Sequence, residues 1–282
     1  MKFKEALHDA ARTLAEGSIE APLLEAELLL MHAMEMGRTE LYVKLEDDLP
    51  LRYSDALLEL VDRRLKREPS AYILGHREFY GLDFYVGPGV LIPRPETETL
   101  VDAAVAFIHS NFLWSDPVIA DIGTGSGAVA VSLAHLFPRA KVYAMDMSRQ
   151  ALDIAALNCI RHGVRVEILQ GDLLAPLPRS VDIIVANLPY VRNDEMAGLP
   201  EEIRDYEPHI ALSGGADGLD IVRRLIVDAG EKLRAGGVVL IEIAPSQVDI
   251  FKAWIARSGL WPCVEPVYDD GGIVRVLKLS WI

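Results

Sequence analysis

The chain has 282 residues, 51% apolar and 25% charged, enough to fill the cores of about two domains and too apolar for a disordered tail. Asp and Glu outnumber Lys and Arg by 42 to 28, a net charge of −14, and the first 75 residues carry 10 basic against 15 acidic side chains. Neither half is therefore a basic module suited to nucleic acid phosphates.

The longest charge-free stretch, residues 122–138, is interrupted by Gly123, Gly125, Gly127 and His135, so no membrane span is expected. Glu5 and Asp9 fall where a secretory leader needs an unbroken apolar core, which predicts a cytoplasmic chain. Cys159 and Cys263 form no C-x-x-C pair, so buried free thiols are expected and no metal site.

Taken in chain order, residues 1–75 predict a small helical domain. One apolar stripe runs Phe3, Leu7, Ala10, Leu14 and closes at Gly17; a second follows Pro22 through Leu24, Leu28, Met31 and Met34 to Gly37. A third begins at Ser54 as N-cap and runs Leu57, Leu58, Val61, Leu65 before Pro69 stops it. Met31, Met34 and Met36 are expected in the core, and Arg63, Arg64, Lys66 and Arg67 read as a solvated helix end. Residues 76–94 predict a β-hairpin connector ending in a Gly-Pro-Gly turn.

From Pro95, which suits a first helical turn, the third region, 95–282, alternates helices and strands. Strands are expected near 118–121, 141–145, 165–169, 181–186, 237–243, 262–267 and 273–279, and helices near 126–137, 148–162, 217–233 and 245–258. Seven strands with crossover helices predict an α/β, doubly wound sheet behind the all-helical domain.

Within it, a strand ending in Asp121 feeds the turn Gly123-Thr124-Gly125-Ser126-Gly127 and then a helix. Such a turn brings backbone N–H groups to a ligand at a helix N-terminus. The spacing is G-x-G-x-G with an acidic residue ahead of it, which favours S-adenosyl-L-methionine over a dinucleotide. The next strand ends at Asp146, 19 residues past Gly127, where a carboxylate can accept both ribose hydroxyls; the following one ends at Asp172, within reach of an adenine amino group. The expected cofactor-binding set is Gly123, Thr124, Gly125, Ser126, Gly127, Asp146, Asp172, Leu173 and Asn187.

The fourth strand ends in Asn187-Leu188-Pro189-Tyr190. An amide or aromatic –NH2 is a poor nucleophile because its lone pair is delocalised, so a site that methylates it must orient it. The Asn187 side-chain oxygen and the Leu188 carbonyl can accept its two N–H bonds while Tyr190 covers the planar group, and Pro189 keeps Leu188 extended. Asn187, Leu188, Pro189 and Tyr190 are therefore the expected catalytic and substrate-binding residues, with Arg94, Glu96 and Thr97 as a wall.

These strings, together with Ala71 to Gly75, Glu78 to Leu82, Val90 to Glu98, Tyr206 to Pro208 and Gly214 to Leu219, span nearly the whole chain. It resembles the protein glutamine N5-methyltransferases that modify peptide chain release factors, the HemK/PrmC type. The resemblance implies a release-factor substrate, methylated on the glutamine of its Gly-Gly-Gln motif and gripped by the helical domain; separately, a monomer is expected. Leu188 stands where that family usually has proline, and Asp269 to Arg275 departs from the usual C-terminal motif. Two other readings remain at this point: an N6-adenine methyltransferase on rRNA or DNA, which the net charge disfavours, and a non-catalytic regulator that binds the cofactor.

Overall fold

Strands run apolar on both faces where two helical layers sandwich them, and Val118–Ile122 (β3) and Val181–Ala186 (β6) are buried at every position. The computed structural model describes residues 1–112 and 115–280. Its chain separates into two compact units, Met1–His76 with Pro200–Tyr206, and the remainder.

The helical unit contains Phe3–Glu16 (α1), Pro22–Met34 (α2), Arg38–Val43 (α3), Leu51–Leu65 (α4) and Ser70–Leu74 (α5). The first stripe is buried as expected, with Phe3, Leu7, Ala10 and Leu14 each under 8% exposed. On α2 the expected stripe is displaced: Ala26, Leu29 and Leu30 are fully buried, whereas Leu24 is 47% exposed. This helix is apolar almost all round, so spacing alone does not choose its inner face. Met31, Met34 and Met36 pack against the core. The helix α4 begins at Leu51 after Pro50, not at Ser54, because proline's fixed φ and extended ψ already form the N-cap. Leu58, expected inside, is exposed.

Nor is the arginine cluster a solvated helix end. Arg64 is 4% exposed and pairs with Glu25 at 3.1 Å and Glu202 at 2.6 Å. Arg67 donates to the carbonyls of Gly17 and Ser18, and the Tyr206 hydroxyl donates to the Lys66 carbonyl at 2.6 Å. These links tie Glu201–Tyr206 (α9) into the helical unit, although it begins 127 positions after α5 ends.

From the boundary at His76 onward, His76–Phe79 (β1) and Leu82–Tyr85 (β2) form the hairpin, and a 3-10 turn at Pro95–Thr97 leads into Glu98–Asn111 (α6). Then β3, Ala128–Leu136 (α7), Lys141–Asp146 (β4), Arg149–His162 (α8), Val166–Gln170 (β5), β6, Asp220–Lys232 (α10) and Leu233–Glu242 (β7) follow. Val248–Ser258 (α11), Cys263–Tyr268 (β8) and Val274–Ser280 (β9) complete the unit. The sheet order is β5-β4-β3-β6-β7-β9-β8, with β9 antiparallel to both neighbours. The order reverses between β3 and its two parallel neighbours, β4 and β6, so the ends of these strands open a crevice at the switch point. Both cysteines are free, Cys159 buried and Cys263 half-buried. Among the described residues no helix is long and apolar enough to cross a membrane.

Candidate active site

The turn after β3 makes three left-handed steps in five residues, Gly123 at φ +71°, Gly125 at +55° and Gly127 at +82°. At Gly127 a Cβ would lie 3.1 Å from the Cβ of Ala155, so glycine lets α7 and α8 close together; at Gly125 a Cβ would meet nothing within 4 Å. The turn thus leaves bare backbone facing a cavity of 360 Å³, a size typical of small-molecule sites.

The turn is held from below by two carboxylates. Asp146 Oδ2 accepts the Gly125 N–H at 3.0 Å and its Oδ1 accepts the Ser148 N–H at 2.9 Å. Asp121 Oδ2 accepts the Thr124 hydroxyl at 2.6 Å and the Ala130 N–H at 3.2 Å. Burial lifts the Asp121 carboxyl from 3.8 to about 7 against those two bonds, and the nearby Asp146 charge adds to the rise. An acid whose folded value is raised confers stability at low pH that is lost as pH rises through that value. The melting temperature of the free protein is therefore expected to fall from about pH 4 to about pH 7 and to level off above, and Asp121→Asn to flatten that slope; an unchanged slope would remove Asp121 as its source.

All of the expected cofactor set but Gly127 line this cavity, and Gly127 instead packs against Ala155. Asp172 stands there with its Oδ2 accepting from Arg224. Leu173 adopts φ +46°, a left-handed conformation costly for a leucine, of the kind that concentrates at functional sites. The residues fit an adenosyl group: bare turn backbone, carboxylates at successive strand ends, and apolar walls from Val90, Met145 and Ile210. Asp146→Ala removes two bonds to a charged acceptor. It is expected to weaken S-adenosylmethionine binding about 10- to 100-fold by calorimetry, with turnover at saturating cofactor within a few-fold.

Asn187, Leu188 and Pro189 also line the cavity. Asn187 Nδ2 donates to Thr97 Oγ1 at 3.0 Å, which leaves Oδ1 as the amide's acceptor for a ligand. Leu188 is 4% exposed, and its Cδ2 lies 2.9 Å from where a Cβ on Gly123 would sit, so glycine at 123 makes room for leucine at 188. Arg94 is on the wall and pairs with the buried Glu207, which also accepts the Ile92 N–H at 3.3 Å. Thr97 lines the wall as well.

Two expected residues are placed elsewhere. Tyr190 lines a neighbouring cavity of 390 Å³ with Ala244 and Gln247, and its hydroxyl points at Glu242 Oε1, 3.4 Å away. Glu96 lies outside the lining, with its Oε1 3.9 Å from Arg275. Sequence reasoning missed three supports. Gln247 Nε2 donates to the Tyr190 carbonyl at 2.7 Å, Glu207 pins Arg94, and Glu242 stands behind Thr97 and Tyr190. Only Glu207 carried a signal, as the centre of the Tyr206-Glu-Pro208 string.

A seven-stranded sheet in this order, with a glycine turn and acidic strand ends at the switch point, defines a Rossmann-like S-adenosylmethionine-dependent methyltransferase. The solved hMettl16 catalytic domain shares the fold at TM-score 0.60 and 17% identity, covering 78% of this chain and 82% of that one. A Pyrococcus furiosus methyltransferase shares it at 0.51 and 20% identity, covering 71% and 89%. Residues 5–75 match the family described as PrmC N-terminal domain, and residues 97–201 the Methyltransferase small domain. The release factor glutamine methyltransferase of Moorella thermoacetica is 45% identical over 96% of both chains. That of Koribacter versatilis is 40% identical over 98% of both, and that of Geobacter sulfurreducens 41% over 94% of this chain and 91% of its own. The chain belongs to the release factor glutamine methyltransferase family.

Proposed function

We propose that this chain methylates the side-chain amide nitrogen, N5, of the glutamine in the Gly-Gly-Gln motif of peptide chain release factors, with S-adenosyl-L-methionine as methyl donor. The observation that carries the chemistry is the fixed Asn187 amide, whose Nδ2 is committed to Thr97 at the edge of the cofactor cavity. When bound, S-adenosylmethionine supplies an electrophilic methyl group carried on a sulfonium.

The chain's own residues do the rest. Asn187 Oδ1 and the Leu188 carbonyl accept the two N–H bonds of the substrate amide, which turns its nitrogen toward the cofactor side. Leu188 is locked extended by Pro189 and packed under Gly123, so its carbonyl is preset. The loop beyond is braced by Gln247 on the Tyr190 carbonyl. Once methylated, the nitrogen carries positive charge and its extra proton is acidic enough to leave to water, so no general base is required.

The adenine-directed reading shares the need for an oriented –NH2, but the matched relatives bear the glutamine activity in their names, and the net charge of −14 suits a protein substrate better than a polyanion. Incubating the protein with S-adenosylmethionine and a release-factor peptide containing Gly-Gly-Gln, then fragmenting it by mass spectrometry, tests the reading. One methyl group on the glutamine side chain is expected. An unmodified glutamine in peptide and intact factor, with methylation of an RNA or DNA adenine instead, would overturn it.

A further inference from the structure

Ligands of an open α/β sheet lie outside the carboxyl ends of its parallel strands, and here those ends are shared between two cavities. The cofactor cavity takes the segments after β3, β4 and β5, together with Asn187, Leu188 and Pro189 after β6. The second, of 390 Å³, begins where the first stops: Tyr190 and Val191 continue the β6 segment, and Ala244, Ser246 and Gln247 follow β7. Tyr190 is two residues beyond Leu188, at most about 7 Å of chain. The second cavity therefore adjoins the place where the substrate amide is held.

Its surface is apolar, with walls from Tyr190, Val191, Leu199 and Ala244. The polar groups of Gln247 and Tyr190 are already engaged. Gln247 Nε2 donates to the carbonyls of Tyr190 at 2.7 Å and Asp217 at 3.2 Å, and the Tyr190 hydroxyl turns to Glu242 Oε1 at 3.4 Å. The charged residue on the lining is the exposed Glu195. Such a cavity favours an apolar side chain and disfavours a carboxylate, which would lose its hydration and face Glu195.

The substrate motif limits which side chain can reach it. In an extended segment successive side chains alternate, so residues two apart point the same way. With the glutamine amide on Asn187 Oδ1 and the Leu188 carbonyl, the residues that point with it are the second before and the second after. The second before is the first glycine of Gly-Gly-Gln and brings no side chain.

We propose that the cavity between the segments after β6 and β7 is a specificity subsite for the second residue on the C-terminal side of the modified glutamine, and that it takes an apolar side chain. This rests on the function proposed above. It also gives the Tyr190 ring its role, as a wall of the subsite beside the reacting amide.

Two matched sets of Gly-Gly-Gln peptides, with leucine, alanine or aspartate either two residues or one residue after the glutamine, test the subsite in initial-rate methylation at saturating S-adenosylmethionine. At the second position kcat/KM is expected to fall about 10- to 100-fold from leucine to alanine and further with aspartate, with the loss in KM and kcat within about threefold. At the first position the same changes should stay within about threefold. Ala244→Leu, which fills the cavity, is expected to cancel or invert the preference for leucine, while calorimetry shows S-adenosylmethionine affinity within about threefold. Equal kcat/KM for leucine and alanine at the second position, or a preference that Ala244→Leu leaves untouched, would overturn the proposal. A second measurement does not depend on turnover: a peptide with a diazirine analogue of leucine at the second position is irradiated with the protein and S-adenosylhomocysteine. Labels are expected on Tyr190, Val191 or Leu199, and their absence there would overturn the subsite. Should every glutamine remain unmethylated while the label falls on these residues, the proposed reaction fails and the subsite stands.

Discussion

Replacing Asn187 by alanine is expected to cut single-turnover methylation of release factor by about 10²- to 10³-fold, the usual loss for one preorganised transition-state hydrogen bond. Cofactor affinity should change by no more than a few-fold, because the glycine turn and its supports, Asp121 and Asp146, belong to other strand ends and keep their own bonds. The side chain is half-buried and its Nδ2 bond to Thr97 is the one it makes within the protein, so the fold should tolerate the change with a modest fall in melting temperature. Stopped reactions analysed by mass, beside a calorimetric titration with S-adenosylmethionine, separate the two effects. Wild-type turnover in the alanine variant would dismiss the assigned role, and a parallel collapse of cofactor binding would make Asn187 a cofactor ligand first.

A second large loss is expected at a residue that touches no substrate. Gly214 lies after the parallel bridge between Val191 and Ser213, and its N–H donates to the Val191 carbonyl at 2.8 Å. A Cβ there would sit 2.5 Å from the Pro189 carbonyl oxygen, 2.6 Å from that of Gly218 and 2.8 Å from the Tyr190 Cα. All three are backbone atoms, so no side chain can swing away; the loop carrying Leu188 and Pro189 must move. Displacing a reacting group's partner by about 1 Å costs on the order of 10² in rate, and overpacking costs about 1–3 kcal/mol in stability. Gly214→Ala is thus expected to lose about 100-fold in turnover and several degrees in melting temperature, with S-adenosylmethionine still bound. Gly198→Ala provides the control, since a Cβ there meets nothing within 4 Å and no left-handed φ is required. Equal behaviour of the two variants would show that the loop can yield at no cost to the chemistry.

Two buried carboxyl groups set the pH dependence of stability for one physical reason. Asp121 and Glu242 are both buried carboxyl groups raised to about 7, so ionising them destabilises the fold. Each shift amounts to a few kcal/mol, at about 1.4 kcal/mol per pH unit, which the surrounding sheet core must absorb above neutral pH.

Local patterns in the sequence were sufficient for the strand and helix order, the glycine turn and the Asn187 to Tyr190 segment, because each depends on neighbours within a few residues. Alternating elements, left-handed glycines and an X-Pro restraint are short-range properties, and they put eight of the nine expected cofactor residues around one cavity, Gly127 packing behind it. The inner face of α2 was not legible, since a helix apolar on every side has no preferred stripe until its neighbours pack. Nor were the partners of buried charges. Arg64 reads as a surface arginine until Glu202, 138 residues away, is brought to it, and Arg94 finds Glu207 across 113 residues. Tyr190 was expected over the substrate, yet its hydroxyl turns to Glu242 and its ring lines the adjoining cavity. Glu242 itself sits at the end of an apolar strand with no motif around it. Its place behind Thr97 arises only when β7 joins the sheet beside β6 and the turn before α6 lies across their ends. Sequence thus determined which chemistry the strand ends can hold, and tertiary packing decided which buried groups orient it, because those bonds join residues with no local relation to one another.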